Sequence, residues 1–84
     1  MLKLKVVSPE KILFEGEVEM VKVPGVVGEF EILNNHAPIV SALQHGIVEY
    51  APLGKERVQV HIAGGFVEVL KNAVSLCVER EQAV

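Results

Sequence analysis

Leu2-Lys3-Leu4-Lys5-Val6 and Arg57-Val58-Gln59-Val60-His61-Ile62 alternate polar and apolar residues without a break. A pleated strand satisfies that period of two and a helix does not. Between such runs stand Ser8-Pro9, Gly16, Pro24-Gly25, Asn34-Asn35, Gln44-His45-Gly46, Pro52-Leu53-Gly54, Gly64-Gly65 and Lys71-Asn72. These residue types suit turns, bulges and strand edges, because they tolerate unusual backbone angles or lack a donor. The spacing predicts about ten short, mostly antiparallel strands, and therefore an all-β sandwich or flattened barrel.

The alternation also predicts facing. Leu2, Leu4 and Val6 share one face, and Val58, Val60 and Ile62 point inward. In Glu17 to Val23, Val18 and Met20 face one way and Glu17, Glu19 and Val21 the other, which leaves Lys22 on the apolar side with its stem on the core. Gly64-Gly65 marks a bulge or a close backbone approach. One domain is expected over 1–78, followed by a tail at 79–84 too short for a stable helix.

Composition narrows the function classes. The chain has 84 residues, is 50% hydrophobic and only 5% aromatic, and its formal charge is -3. Its eight basic residues are scattered, whereas phosphate backbones need a clustered basic footprint, so nucleic acid is excluded as a partner. Cys77 is the only cysteine and lies in an apolar run, as a small core or interface residue. His36, His45 and His61 occupy separate segments without ligand spacing, and Ser8, Ser41 and Ser75 have no nucleophile elbow, so neither a metal centre nor catalysis is expected. The glycines match no phosphate or dinucleotide loop, and no cofactor or nucleotide is expected. No apolar run approaches the roughly 18 residues of a membrane helix, so direct insertion is not expected either.

One stretch is richer than the rest. In Gly28-Glu29-Phe30-Glu31-Ile32-Leu33-Asn34-Asn35-His36-Ala37-Pro38-Ile39-Val40-Ser41-Ala42-Leu43, a short strand runs through Phe30, Ile32 and Leu33. Asn34-Asn35 suit a tight turn, and Pro38 gives the next strand a rigid start from which Ile39, Val40, Ala42 and Leu43 re-enter the core. The expected result is a stiff hairpin carrying Glu29, Glu31 and His36, better suited to docking than to chemistry.

The order Gly-Glu-Phe, Ile-Leu, a two-residue turn, His-Ala-Pro, two aliphatics, a small hydroxyl residue and Leu resembles the N-terminal domain of the epsilon subunit of F-type ATP synthases. Val6-Val7-Ser8-Pro9-Glu10, Phe14-Glu15-Gly16-Glu17-Val18 and Gly64-Gly65-Phe66-Val67-Glu68-Val69 extend the resemblance over nearly the whole chain. It implies a ten-stranded sandwich in the central stalk, gripping the gamma subunit and resting on the c-ring. Such a subunit is not an enzyme; it couples proton translocation to ATP synthesis. It would be peripheral, at the cytoplasmic face of the bacterial inner membrane.

By the same resemblance Glu29 faces the c-ring, His36 and Ser41 face gamma, and Ser8 lies on an exposed early turn. Many members have Pro-Gly in place of Asn34-Asn35 and glycine in place of Glu31. Longer members continue into a two-helix C-terminal domain, whose inhibitory insertion and nucleotide sensing are not expected here. Two other functions compete: a free-standing interaction domain, and a biotinyl or lipoyl carrier, suggested faintly by Glu19-Met20-Val21-Lys22.

Overall fold

The computed structural model describes residues 1–81, and these form seven strands without a helix. They are β1 (Leu2–Val7), β2 (Ile12–Gly25), β3 (Gly28–Ile32), β4 (Ile39–Leu43), β5 (Gly46–Pro52), β6 (Val58–Leu70) and β7 (Ala73–Arg80). β1 lies between β2 and β7, antiparallel to the first and parallel to the second. Because β7 pairs β6, β6 pairs β5 and β5 pairs β2, five strands close into a ring. β3 is added on the second half of β2, and β4 on the second half of β6. With extents of 37 × 28 × 19 Å the result is a flattened barrel.

The expected strands, about ten on their turn spacing, are fewer and longer because the internal glycines do not end them. β2 runs for 14 residues through Gly16, and β6 for 13 through Gly64-Gly65. Each long strand pairs with different neighbours along its two halves, so one strand serves two parts of the barrel wall.

Each also slips in register. The β2–β5 pairing shifts between Val18 and Val21, and the β6–β7 pairing between Ile62 and Gly64. An extra residue reverses which side chains face the core. Met20 and Val21 are accordingly both buried, and Val21 joins Val23 in the core, contrary to the uninterrupted alternation. Lys22 moves to the polar side, between Glu31 and Glu49 in register. In β6 the shift buries Val67 and Val69 and turns Phe66 outward.

Leu2, Leu4 and Val6 are buried as the alternation requires, while Val58 and Val60 pack half-buried against the core. Leu33, Val40 and Ala42 are exposed, not core residues. β3 ends at Ile32, so Leu33 already belongs to a turn. β4 turns Leu43 inward, with Ile39 and Ser41 half-buried on the same side, and a period-two strand cannot also bury the residues between them.

The predicted hairpin over Gly28 to Leu43 is not one. β3 pairs with β2, β4 pairs with β6, and β4 touches β2 through the single pair Gly25↔Leu43. The Asn34-Asn35 segment is therefore a crossover between two parts of the wall. β7 continues past the expected boundary at Val78 to Arg80, and the Glu81 N–H donates to the His61 carbonyl at 3.0 Å. Residues 82–84 of the predicted tail lie outside the described residues.

Gly65 shows why Gly64-Gly65 stand where they do. Its φ is +152°, and a Cβ there would collide with the Cys77 carbonyl oxygen and the Val78 backbone. Gly65→Ala should cost about 2–4 kcal/mol of folding stability, combining backbone strain with overpacking, measured as a lower midpoint of urea unfolding.

Candidate docking site

The His36 segment is anchored from a distance. The His36 N–H donates to the Leu33 carbonyl at 3.2 Å, closing a four-residue turn. Asn35 has φ +67° and Asn34 is not in the positive region, the pattern of a type II turn. Across the end of the molecule Lys71 and Asn72, at φ 49° and 63°, make the two-residue connection between β6 and β7. The two turns are clasped together. The Asn35 N–H donates to Asn72 Oδ1 at 2.6 Å, and Asn72 Nδ2 donates to Asn35 Oδ1 at 3.2 Å. The Asn72 carbonyl also accepts the Lys3 N–H at 2.8 Å, so one asparagine joins the crossover, the last hairpin and β1.

His36 itself is half-buried. Its Nδ1 donates to the Ala37 carbonyl at 2.8 Å, and its ring lies 6.5 Å from that of Phe30. The Ser41 hydroxyl is half-buried on the core-facing side of β4 and donates to the Ala42 carbonyl at 3.2 Å. Ser8 is half-buried at the start of the β1–β2 turn, which it caps through Lys11, while Pro9, Glu10 and Lys11 of that turn are exposed.

Between these points lies a surface that the alternation did not mark. Val40 and Ala42 on β4 are register neighbours of Glu68 and Phe66 on β6, and Phe66 is the neighbour of Cys77 on β7. Val40 is 70% exposed, Phe66 51% and Leu70 52%. Cys77 is half-buried on this outer side, not in the core. An open groove of about 530 Å³ continues the face past Gly64 and Gly65 to Ser8 and Pro9. Two sequence signals could have found it: adjacent aliphatics in β4, of which one must point outward, and the bulge glycines before Phe66.

Glu29 stands apart, near the β2–β3 tip and separated from His36 by the length of β3. Its carboxylate is 3.9 Å from Lys22 Nζ, with both side chains partly exposed. On the other side of Lys22, Glu49 accepts from Arg57 at 2.7 Å and from Gln59 at 2.8 Å. The Gln59 amide first, and then the Arg57 guanidinium, hold the Glu49 carboxyl below its ordinary 4.5. Lys22 is thus mid-strand in a charged row, whereas a modified carrier lysine needs a free hairpin tip. The carrier reading is set aside on that ground. Among the described residues no group of three His, Cys, Asp or Glu side chains could hold a metal ion.

The family described as "ATP synthase, Delta/Epsilon chain, beta-sandwich domain" matches residues 1–83. The chain belongs to this family. It is 49% identical over 75 residues to the ATP synthase epsilon chain of Leptospira interrogans, covering 89% of this chain and 58% of that one. It is 40% identical over 78 residues to the epsilon chain of Parvibaculum lavamentivorans, covering 93% and 59%. The chain therefore spans little more than half the length of these epsilon chains. Its structure is similar to a chain in the Euglena gracilis mitochondrial ATP synthase OSCP/F1/c-ring assembly, with TM-score 0.84, 25% identity, and coverage of 92% of this chain and 49% of that one. A chain of the Tetrahymena thermophila central stalk and c-ring shares the fold at TM-score 0.77 and 16% identity, over 93% and 63%. Among the described residues no helix is long and apolar enough to cross a membrane.

For this epsilon-family domain the clasp makes a specific expectation. Asn72→Gly keeps the positive φ but removes the side-chain bridge, and should cost about 1 kcal/mol while speeding amide hydrogen exchange at Asn35 and His36 above that of the core strands. Adding Asn34→Pro with Asn35→Gly, the residues a type II turn prefers, should slow that exchange again. A second expectation concerns Glu49. Because its folded pKa is depressed, its contribution is present above the unfolded value and lost as pH falls through the folded one. Arg57→Ala should raise the Glu49 titration midpoint toward 4.5 in carboxyl-detected NMR.

Proposed function

We propose that this chain is the sandwich module of the epsilon subunit of a rotary F-type ATP synthase, a non-catalytic part of the central stalk. It joins gamma to the c-ring and so couples proton translocation to ATP synthesis. The observation that carries the reading is the match over nine-tenths of the chain to a chain of the Euglena F1/c-ring assembly, together with the family match over residues 1–83. In this reading the subunit is peripheral at the membrane, and its bacterial relatives favour the cytoplasmic face of the inner membrane.

In this reading gamma covers the outer face of β4, β6 and β7 with His36 at its border, reaches Ser41 only past the free edge of β4, and Glu29 faces the c-ring. The energetics support that assignment of roles. Burying the exposed part of Phe66 or Val40 against a partner is worth about 1–2 kcal/mol each, whereas an exposed ion pair contributes about 0–1 kcal/mol. Association therefore rests on the apolar face. The physical task is to pass a shear load without yielding, and the barrel is suited to it: the ring is closed by hydrogen bonds, and Asn72 ties the crossover to two strands beside it.

The test is a gentle pull-down of the tagged chain from its host's membranes. Gamma recovered together with the c-ring or the catalytic head is the expected result, and unrelated partners or none would overturn the assignment. Phe66→Glu should leave the fold intact and reduce recovered gamma about tenfold or more, as loss of a buried aromatic anchor does. Glu29→Lys should leave gamma bound but lower ATP synthesis driven by an imposed proton gradient; unchanged synthesis would remove Glu29 from the c-ring contact.

A further inference from the structure

Register sets two rows of side chains across the outer wall of β6, β7 and β1. In the first, Phe66 neighbours Cys77, and Cys77 neighbours Val7. This row is apolar: Phe66 is 51% exposed, and Cys77 and Val7 are half-buried on the outer side. The open groove of about 530 Å³ follows it, with Phe66 at one side and Val7 and Pro9 at the other, and with Gly64 and Gly65 leaving it unfilled. In the second row Glu68 neighbours Ser75, and Ser75 neighbours Lys5. Its two ends carry opposite charge and both are exposed. Neither Glu68 nor Lys5 joins an ion pair among the described residues.

This pattern is complementary to itself. A two-fold axis lying along β7, in the plane between two copies, sets every side chain of β6 opposite one of β1 on the second copy. Phe66 then meets Val7 of the second copy and enters the groove beside it, while Glu68 meets Lys5. Each contact occurs twice, as an isologous interface requires. Cys77 and Ser75 lie on the axis and meet their own counterparts. A two-fold axis across the strands would instead set Glu68 opposite Gly64, with no charge to meet. Sheet twist carries β4 and β2 away from the contact plane, so the contact is confined to three strands about 4.8 Å apart.

We propose that the free chain pairs with a second copy of itself through this wall, Phe66 in the groove and Glu68 on Lys5. The pairing is argued from the fold alone. Its role rests on the reading above, in which gamma covers the same face: the pair shields Phe66 from water before assembly and opens when gamma binds. A contact this narrow belongs to the weak, transient class, under about 1,200 Å², so a broader partner surface displaces it.

The test is sedimentation of the full chain at low salt and roughly 0.5 mM, a concentration suited to an interface of the weak class, with Tm checked for each variant. The parent chain should dimerise, and Phe66→Glu should weaken the dimer about tenfold or more. Glu68→Lys and Lys5→Glu should each weaken it several-fold, because like charges then face each other twice. Mixing those two variants should restore pairing, since one chain is then positive and the other negative at both positions. A parent chain that stays monomeric overturns the proposal, and so does a dimer whose stability the charge reversals and their mixing leave unchanged. Added gamma should convert the dimer into a complex holding one copy. A gamma complex that retains both copies would overturn the shared face while the stalk reading stands. Gamma that binds neither form would overturn the stalk reading, and the pairing would stand on the mixing result.

Discussion

A strand that slips by one residue exchanges its two faces, as β2 does between Val18 and Val21 and β6 between Ile62 and Gly64. The outward position of Phe66, the burial of Val21 beside Met20, and the placing of Lys22 among Glu29, Glu31 and Glu49 all follow from those two shifts. So does closure. A strand long enough to belong to two parts of the wall has to bend between them, and a bulge supplies the bend together with extra twist. The Gly64-Gly65 segment is where this is tightest, since the β7 backbone approaches too closely for any Cβ at Gly65.

The closed ring leaves β3 and β4 as additions, and the segment between them would be the weakest part of the wall if the turn stood alone. Asn72 removes that weakness. Its side chain meets Asn35 and its carbonyl meets Lys3, so three pieces of chain distant in sequence share one residue. A Pro-Gly turn obtains stiffness locally, whereas this chain obtains it from a contact across the barrel end. Both solutions reduce the freedom of the same turn, one through the backbone ring of proline and the other through hydrogen bonds.

The surface divides by interaction type. The β4-β6-β7 face sets Val40, Phe66 and Leu70 around Glu68, the β3-β2-β5 face is a row of opposed charges, and the β2–β3 tip places two exposed valines beside a carboxylate. Exposed charge pairs in water contribute little and are screened by salt, while apolar area removed from water contributes in proportion to its extent. On the proposed reading, polar residues such as Glu29 and His36 contribute less to binding than exposed apolar ones such as Val40 and Phe66, which only their exposure distinguishes from core residues of the same kind.

The alternation in β1 and in the first half of β6 and the turn chemistry of Asn34-Asn35 and Lys71-Asn72 determined an all-β barrel, and the quoted motifs determined its family. These are local properties, legible because period-two patterning and turn preferences act over a few residues. Which strands pair, where β2 and β6 change face, that Asn35 meets Asn72, and which valines face water were decided by the tertiary structure alone. An extra residue at a bulge leaves no mark in composition, and a contact between turns 37 residues apart exists only once the barrel has closed.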